Sequence, residues 1–399
     1  YARAFDWRNY EYSKKAFAFS NDEEGFMAFK NWMNEIAEKH QKEAIIPGME
    51  PTGHYWFSLG AFLQNNGMRV VHVNPHHVKK SKELDDNNPN KNDRKDPKTI
   101  AALVNEGRFS YPYIPTGIYA EIRNLSNLRF RTQEEITRIK NRLARWFSIY
   151  FPEYKDVYGN LDAVSGMMIL KEAPLPADIV KLGVEGINKI WRDAKLRAVG
   201  MKRAKTLVNK AEHSVGSHEA PEAARVELGI LLNDYEMYNL RMEELMQKIE
   251  EKLQEIPYID KLMEIKGIGM ITICGFIAEV GDIRRFDNPK QLQKLAGYAI
   301  VSNDSGKHNG ESHISYRGRK RLRYVLYEAA ISLIGKNPEF KEIHNYYLTR
   351  EKNPLKKMQS VIAVACKVIR VFYMMLTKGI SYDGAKMLND IKRPELAMI

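Results

Sequence analysis

Cysteine is almost missing from this chain. Its 399 residues hold only Cys274 and Cys366, which excludes a disulfide scaffold and a thiolate zinc site. Both lie in apolar helical patterns and read as buried thiols of a reducing compartment. Long hydrophobic runs are missing too. The most apolar stretch, Ser360–Leu376, is interrupted by Lys367 and Arg370 and reads as a core helix, with no membrane span expected. The first residue is Tyr1 with no signal-peptide pattern behind it, so further residues are expected upstream. Histidine spacing excludes the usual zinc motifs. His72, His76 and His77 lack a ligand pattern, and Thr52-Gly53 breaks any helical register between Glu50 and His54.

Apolar residues at 44% and charged residues at 28% describe an ordinary globular chain, long enough for two or three cores. The 62 Lys and Arg exceed the 50 Asp and Glu by 12, a balance that favours a polyanionic partner. Residues 1–20 alternate polar and apolar around Arg8-Asn9 and read as a β-hairpin. Glu23–Lys39 has helical spacing, Glu43–Met49 is a short apolar strand ending at Glu50, and Thr52–Asn65 is helical. Arg69–Asn74 reads as a strand closed by Pro75. A charged, Asn-rich loop (Lys79–Asn92) follows, then a helix from Asp96 to Asn105. This order predicts a mixed sheet flanked by helices, with Glu50 at the carboxyl end of a parallel strand, where α/β folds place ligands.

The stretch Lys91–Ala101, K-N-D-R-K-D-P-K-T-I-A, sets Asp93 and Asp96 three apart among four cations. On one helix the two carboxylates share a face and suit a hard cation such as Mg²⁺. Alternatively, Asp96-Pro97 is an N-cap followed by proline at the first helical position, which leaves Asp93 in the preceding loop. Both readings stand on these residues alone.

Two long helices follow. Ile136, Ile139, Leu143, Trp146 and Tyr150 step by three and four along Tyr119–Tyr150, and Leu228, Leu231, Tyr235, Tyr238, Met242, Leu245 and Ile249 repeat that rhythm. The spacing predicts a coiled-coil seam within the chain or between protomers. Between them, residues 156–219 form a helical insertion whose stretch Lys195–Lys210 is either a nucleic-acid face or a solvated one. The run I-K-G-I-G, with Lys266, Gly267 and Gly269, resembles a helix-hairpin-helix, in which a glycine turn opens a helix N-terminus to phosphate. Ser302–Arg323 then combines four serines with Lys307, Arg317, Arg319, Lys320, Arg321 and Arg323. A serine on a turn beside guanidinium groups suits phosphoryl transfer. A polar loop leading into a basic helix is the plainer alternative. Tyr324–Lys378 is helical with one apolar face.

Three stretches in order, M-E-P-T-G-H-Y (49–55), K-x-D-x-x-D-x-x-x-I-A (91–101) and the paired G-I-G…A-E-V-G-D-I-R-R-F and S-G…I-S-Y-R-G-R-K-R-L-R (267–323), resemble the transposases of the insertion sequence 110 family. The resemblance implies an α/β RNase H-like (RuvC-like) domain over 1–118 and coiled-coil helices at 119–155 and 220–256. The basic helical insertion 156–219 separates those helices, and a mainly α C-terminal transposase domain spans 257–399. It implies that Glu50, Asp93 and Asp96 are three acids of a D-E-D-D tetrad holding Mg²⁺, with Mn²⁺ as a substitute. The first tetrad aspartate is expected upstream of Tyr1, and Asp6 does not replace it. It further implies Ser305 as nucleophile and a DNA contact along Arg317–Arg323. Donor and target double-stranded DNA, a structured non-coding guide RNA and a homo-oligomer (dimer or tetramer) are the implied partners, in the cytoplasm at the nucleoid. Pro97 departs from the family, which often has alanine there. Two rival expectations are a metal-dependent junction nuclease that uses the carboxylates alone, and a nucleic-acid-binding protein without chemistry.

Overall fold

The computed structural model describes residues 1–12, 15–51, 53–85, 96–301 and 312–396. The chain is mostly helical and divides into two compact units, Tyr1–Ile114 and Pro115–Ile399.

In the first unit the elements are α1 (Glu23–Lys39), β1 (Gly48–Met49), α2 (Trp56–Asn65), β2 (Val71–Val73), α3 (Pro75–Asp85), α4 (Asp96–Asn105) and β3 (Phe109–Ser110). Strand β1 pairs parallel with β2, Gly48 opposite Val71, and β2 pairs antiparallel with β3, His72 opposite Ser110. The sheet is therefore mixed, and every residue of its middle strand is buried. Phe29, Met33, Leu63 and Val70 form one small core, and Val73, Val78 and Leu103 a second. Asp22 caps α1 by accepting from the Gly25 amide at 2.8 Å.

Three local expectations need correction. The hairpin over residues 1–20 is reduced to two isolated antiparallel bridges, Ala2 with Phe17 and Phe5 with Glu11. The Asp6 carboxylate accepts from the amides of Arg8 and Tyr10, each at 2.8 Å, and so takes donors that a ladder would use. Helix α2 starts at Trp56, with Pro51 and Gly53 outside it. The expected loop from Lys79 is helical as far as Asp85. Asn74 Oδ1 accepts from the His76 amide at 2.9 Å and Pro75 opens the first turn, so Asn74-Pro75 starts α3 and does more than close a strand.

The second unit opens with α5 (Gly117–Tyr150), followed by α6 (Tyr154–Val157), α7 (Val164–Glu172), α8 (Pro176–Asp193) and α9 (Met201–Glu212). Next come α10 (Pro221–Gln254), α11 (Ile259–Met263), α12 (Met270–Val280), α13 (Pro289–Ala296), β4 (Ile300–Val301) and β5 (His313–Ile314). Helices α14 (Lys320–Lys336), α15 (Pro338–Thr349), α16 (Lys357–Lys378) and α17 (Gly384–Leu396) complete it. Helices α5 and α10 pack antiparallel. Trp146 Nε1 near the end of α5 donates to the Ala224 carbonyl near the start of α10 at 3.0 Å, while Ile122 shares a core with Ile249 and Leu253. Each fully buried Leu, Ile or Trp along such a seam stabilises by about 2 kcal/mol.

Two cores organise this unit. One joins the α5 end and α10 start to α6–α9, with Trp191 Nε1 donating to the Ser165 carbonyl at 2.8 Å. The other joins the opposite ends to α11–α17. Helix α16 is long and apolar enough to cross a membrane. Ten of its residues are nevertheless buried, Ser360 and Lys367 among them, and it packs against α11, α13, α14 and α15. It is the axis of this core.

Candidate active site

Glu50 directly follows β1, so its carboxylate is carried at the carboxyl end of the parallel pair. Asp96 is the first residue of α4. Gly48 brings that helix close, because a Cβ there would lie 2.6 Å from Val104 Cγ2. Glu50 and Asp96 both line a cavity of about 920 Å³ within the first unit, with Trp7, Tyr55 and Trp56 among its aromatic walls. The Lys82 ammonium, from α3, closes an ion pair with the Asp96 carboxylate. Asp6 lines the same cavity but is bound into the Arg8–Tyr10 turn. His72 is buried beneath, its ring edge-on to Trp56 at 4.4 Å, and burial holds its pKa below the usual histidine value. Asp93 lies outside the described residues.

In the second unit the glycine turn joins α11 to α12. Gly267 has φ +100°, and an added Cβ would lie 3.3 Å from Lys336 Cβ and 3.4 Å from the Ser332 carbonyl. Ser332 Oγ donates to the Gly267 carbonyl at 2.7 Å. The turn is thus seated on α14, while Lys266 and Gly269 remain exposed. Gly269 is the N-cap of α12, whose first turn has no acid, so this helix start is open to an anion.

The basic run divides by function. Arg319 donates to the Glu279 carbonyl at 3.0 Å and its carboxylate at 3.3 Å; burial raises the pKa of Glu279. Arg321 donates to Asn127 and stacks 4.4 Å over the Phe130 ring. Arg323 donates to the carbonyls of Ala296 and Tyr316 at 3.1 and 3.2 Å. These three hold the fold together. Arg317 and Lys320 are exposed. Ser315 is half-buried, its Oγ donating to the Gly297 carbonyl at 3.3 Å. Strands β4 and β5 pair antiparallel, Ile300 opposite Ile314. Ser305 and Lys307 fall between them in sequence, outside the described residues.

Comparison with known proteins joins the two units. The family model described as "Transposase IS116/IS110/IS902 family" matches residues 259–345, and the IS110 transposase model of DEDD type matches residues 9–152. The insertion element IS116 uncharacterized 44.8 kDa protein of Streptomyces clavuligerus is 24% identical over 86% of this chain and 84% of its own length. The insertion element IS900 uncharacterized 42 kDa protein of Mycobacterium paratuberculosis is 23% identical over 73% of each. The putative transposase y4rJ of Sinorhizobium fredii is 29% identical over 33% of this chain and 34% of its own.

The chain belongs to the IS110 family of transposases. The activity class follows: the protein is an enzyme that cuts and rejoins DNA strands. In this transposase one match contains Glu50 and Asp96, and the other contains the glycine turn and the basic run. Lys82 does not stand out in the sequence, because its polar surroundings read as a loop. Asn74-Pro75 with an apolar Val78 was the signal for the helix that carries it.

Proposed function

We propose that this transposase is an RNA-guided DNA recombinase that excises and inserts a mobile element by serine attack on DNA phosphodiesters. The carboxylate unit is read as RNase H-like. The observation that carries the reading is that Glu50, at a parallel strand end, and Asp96, at a helix head, line one cavity.

The carboxylates fit a divalent metal in donor chemistry. Their oxygens are hard ligands of the kind Mg²⁺ takes, with Mn²⁺ acceptable. Among the described residues no three His, Cys, Asp or Glu form a ready cluster, so Glu50 and Asp96 await a further acid. Asp93, three residues before Asp96, fills that role in the proposal. Bound there, the metal supplies polarisation of a phosphoryl oxygen and stabilisation of the departing one. The ion pair from Lys82 orients the Asp96 carboxylate until a cation replaces it.

Ser305 Oγ forms the new bond to phosphorus as the deoxyribose oxygen leaves with a proton, giving a phosphoserine link that a second DNA end reverses. Lys266, Gly269, Lys307, Arg317 and Lys320 hold DNA phosphates. A structured guide RNA pairs with donor and target DNA, so base pairing supplies sequence while the protein reads shape and phosphate. Because the acids and the serine belong to different units, a dimer or tetramer that pairs them between protomers suits the work, carried out in the cytoplasm at the nucleoid.

The test is strand transfer between donor and target DNA with the co-transcribed RNA and Mg²⁺. Glu50→Gln and Asp96→Asn each lower the product about a hundredfold or more with the melting temperature retained. Full activity in both variants overturns the carboxylate site.

A further inference from the structure

Between Lys195 and Lys210 the chain places six cations, Lys195, Arg197, Lys202, Arg203, Lys205 and Lys210, without one carboxylate among them. Ala204, Leu207, Val208 and Ala211 fix the inner face of α9 in the core of the insertion, which turns Lys202, Arg203 and Lys205 outward. Lys195 and Arg197 are exposed on the α8–α9 linker, which Arg192 pins by donating to the Val199 carbonyl. Lys210 alone of the six forms an ion pair among the described residues, with Asp156 at 2.8 Å. A cavity of about 540 Å³ opens on this face, lined by Lys202, Arg203 and Thr206, and Asp156, already neutralised by Lys210, is its one carboxylate.

This face lacks the local pairing seen on other helices of the chain. Elsewhere four helical cations pair with a carboxylate three residues away: Lys80 with Glu83, Arg138 with Glu135, Arg225 with Glu222, Lys252 with Glu255. Such pairs stabilise a helix, and like charges at the same spacing destabilise it. On α9, Lys202 and Lys205 stand three apart, and neither has a carboxylate partner among the described residues to offset the repulsion. A polyanion laid along the face removes it.

We propose that the α8–α9 corner of the insertion binds the phosphodiester backbone of a nucleic acid, as a contact separate from the glycine turn and the Arg317–Lys320 surface. The proposal rests on the reading of the protein as a nucleic-acid enzyme. DNA and RNA share the chemistry recognised here, and the test separates them. Full-length protein is titrated against a labelled duplex DNA of about 30 base pairs and against a labelled RNA hairpin over a range of salt concentrations. In K195Q/R197Q/K202Q/K205Q, affinity for at least one probe falls about tenfold or more at 0.15 M salt. The slope of log affinity against log salt loses about two to three. A loss confined to the duplex assigns DNA, and a loss confined to the hairpin assigns RNA. The charge-preserving K195R/K202R/K205R keeps wild-type binding. Unchanged affinity and slope on both probes overturn this surface alone. Wild-type protein that binds neither probe overturns the nucleic-acid reading along with it.

Discussion

Arginines that look alike in R-G-R-K-R-L-R do different work once each is followed to its partners. Arg319 and Arg321 bond to Glu279 and Asn127 inside the second unit. Removing either takes a donor from half-buried acceptors, which costs about 0.5–1.5 kcal/mol. Arg319→Met and Arg321→Met therefore lower the melting temperature by several degrees. Arg317→Gln with Lys320→Gln leaves it unchanged and weakens DNA binding, read by a thermal melt and a salt titration side by side. Sequence gave the positive charge of this run but not its division, because a helix face shows only in three dimensions which cations meet carbonyls. Asp178 offers a test by pH. Hydrogen bonds from Arg225, at 2.8 and 3.1 Å, outweigh partial burial and hold its pKa below the usual carboxylate value. A depressed folded pKa adds stability that is full above the unfolded value of about 3.9 and is lost as pH falls through the folded one. Asp178→Asn thus melts lower than wild type at pH 7, by on the order of one to three degrees, and the difference closes as the pH falls through the depressed folded pKa.

At the scale of elements, long helices were legible and short pieces were not. The run from Tyr119 to Tyr150 carries its own period over many turns, and α5 spans Gly117–Tyr150. A two-residue strand such as β1 has no period to read, and α3 was hidden in a polar, histidine-rich stretch with one buried apolar residue, Val78. The pairing of Glu50 with Asp96 was legible only as two acids in the right order. Their shared cavity depends on Gly48, whose missing Cβ lets Val104 and hence α4 lie against β1. Gly48→Val is expected to push α4 away, costing about 1–3 kcal/mol in stability. Strand transfer then falls further than the loss of folded protein explains, which activity per folded molecule measures.

The whole chain is two folding problems. The cores of the second unit draw only on residues after Pro115, and those of the first only on residues before it. A fragment of residues 115–399 is expected to unfold in one cooperative melt and to bind DNA without cleaving it. A fragment with no cooperative melt contradicts the independence of its two cores. Central to the proposed function is the attack of Ser305 Oγ on a DNA phosphodiester. Full-length protein with its co-transcribed RNA, labelled donor and target DNA and Mg²⁺, resolved on a denaturing gel, tests it most directly. The account predicts a covalent protein–DNA adduct that vanishes in Ser305→Ala and weakens in Asp96→Ala. Cleaved DNA with no adduct, unaffected by Ser305→Ala, contradicts it and leaves the carboxylates to cut by hydrolysis.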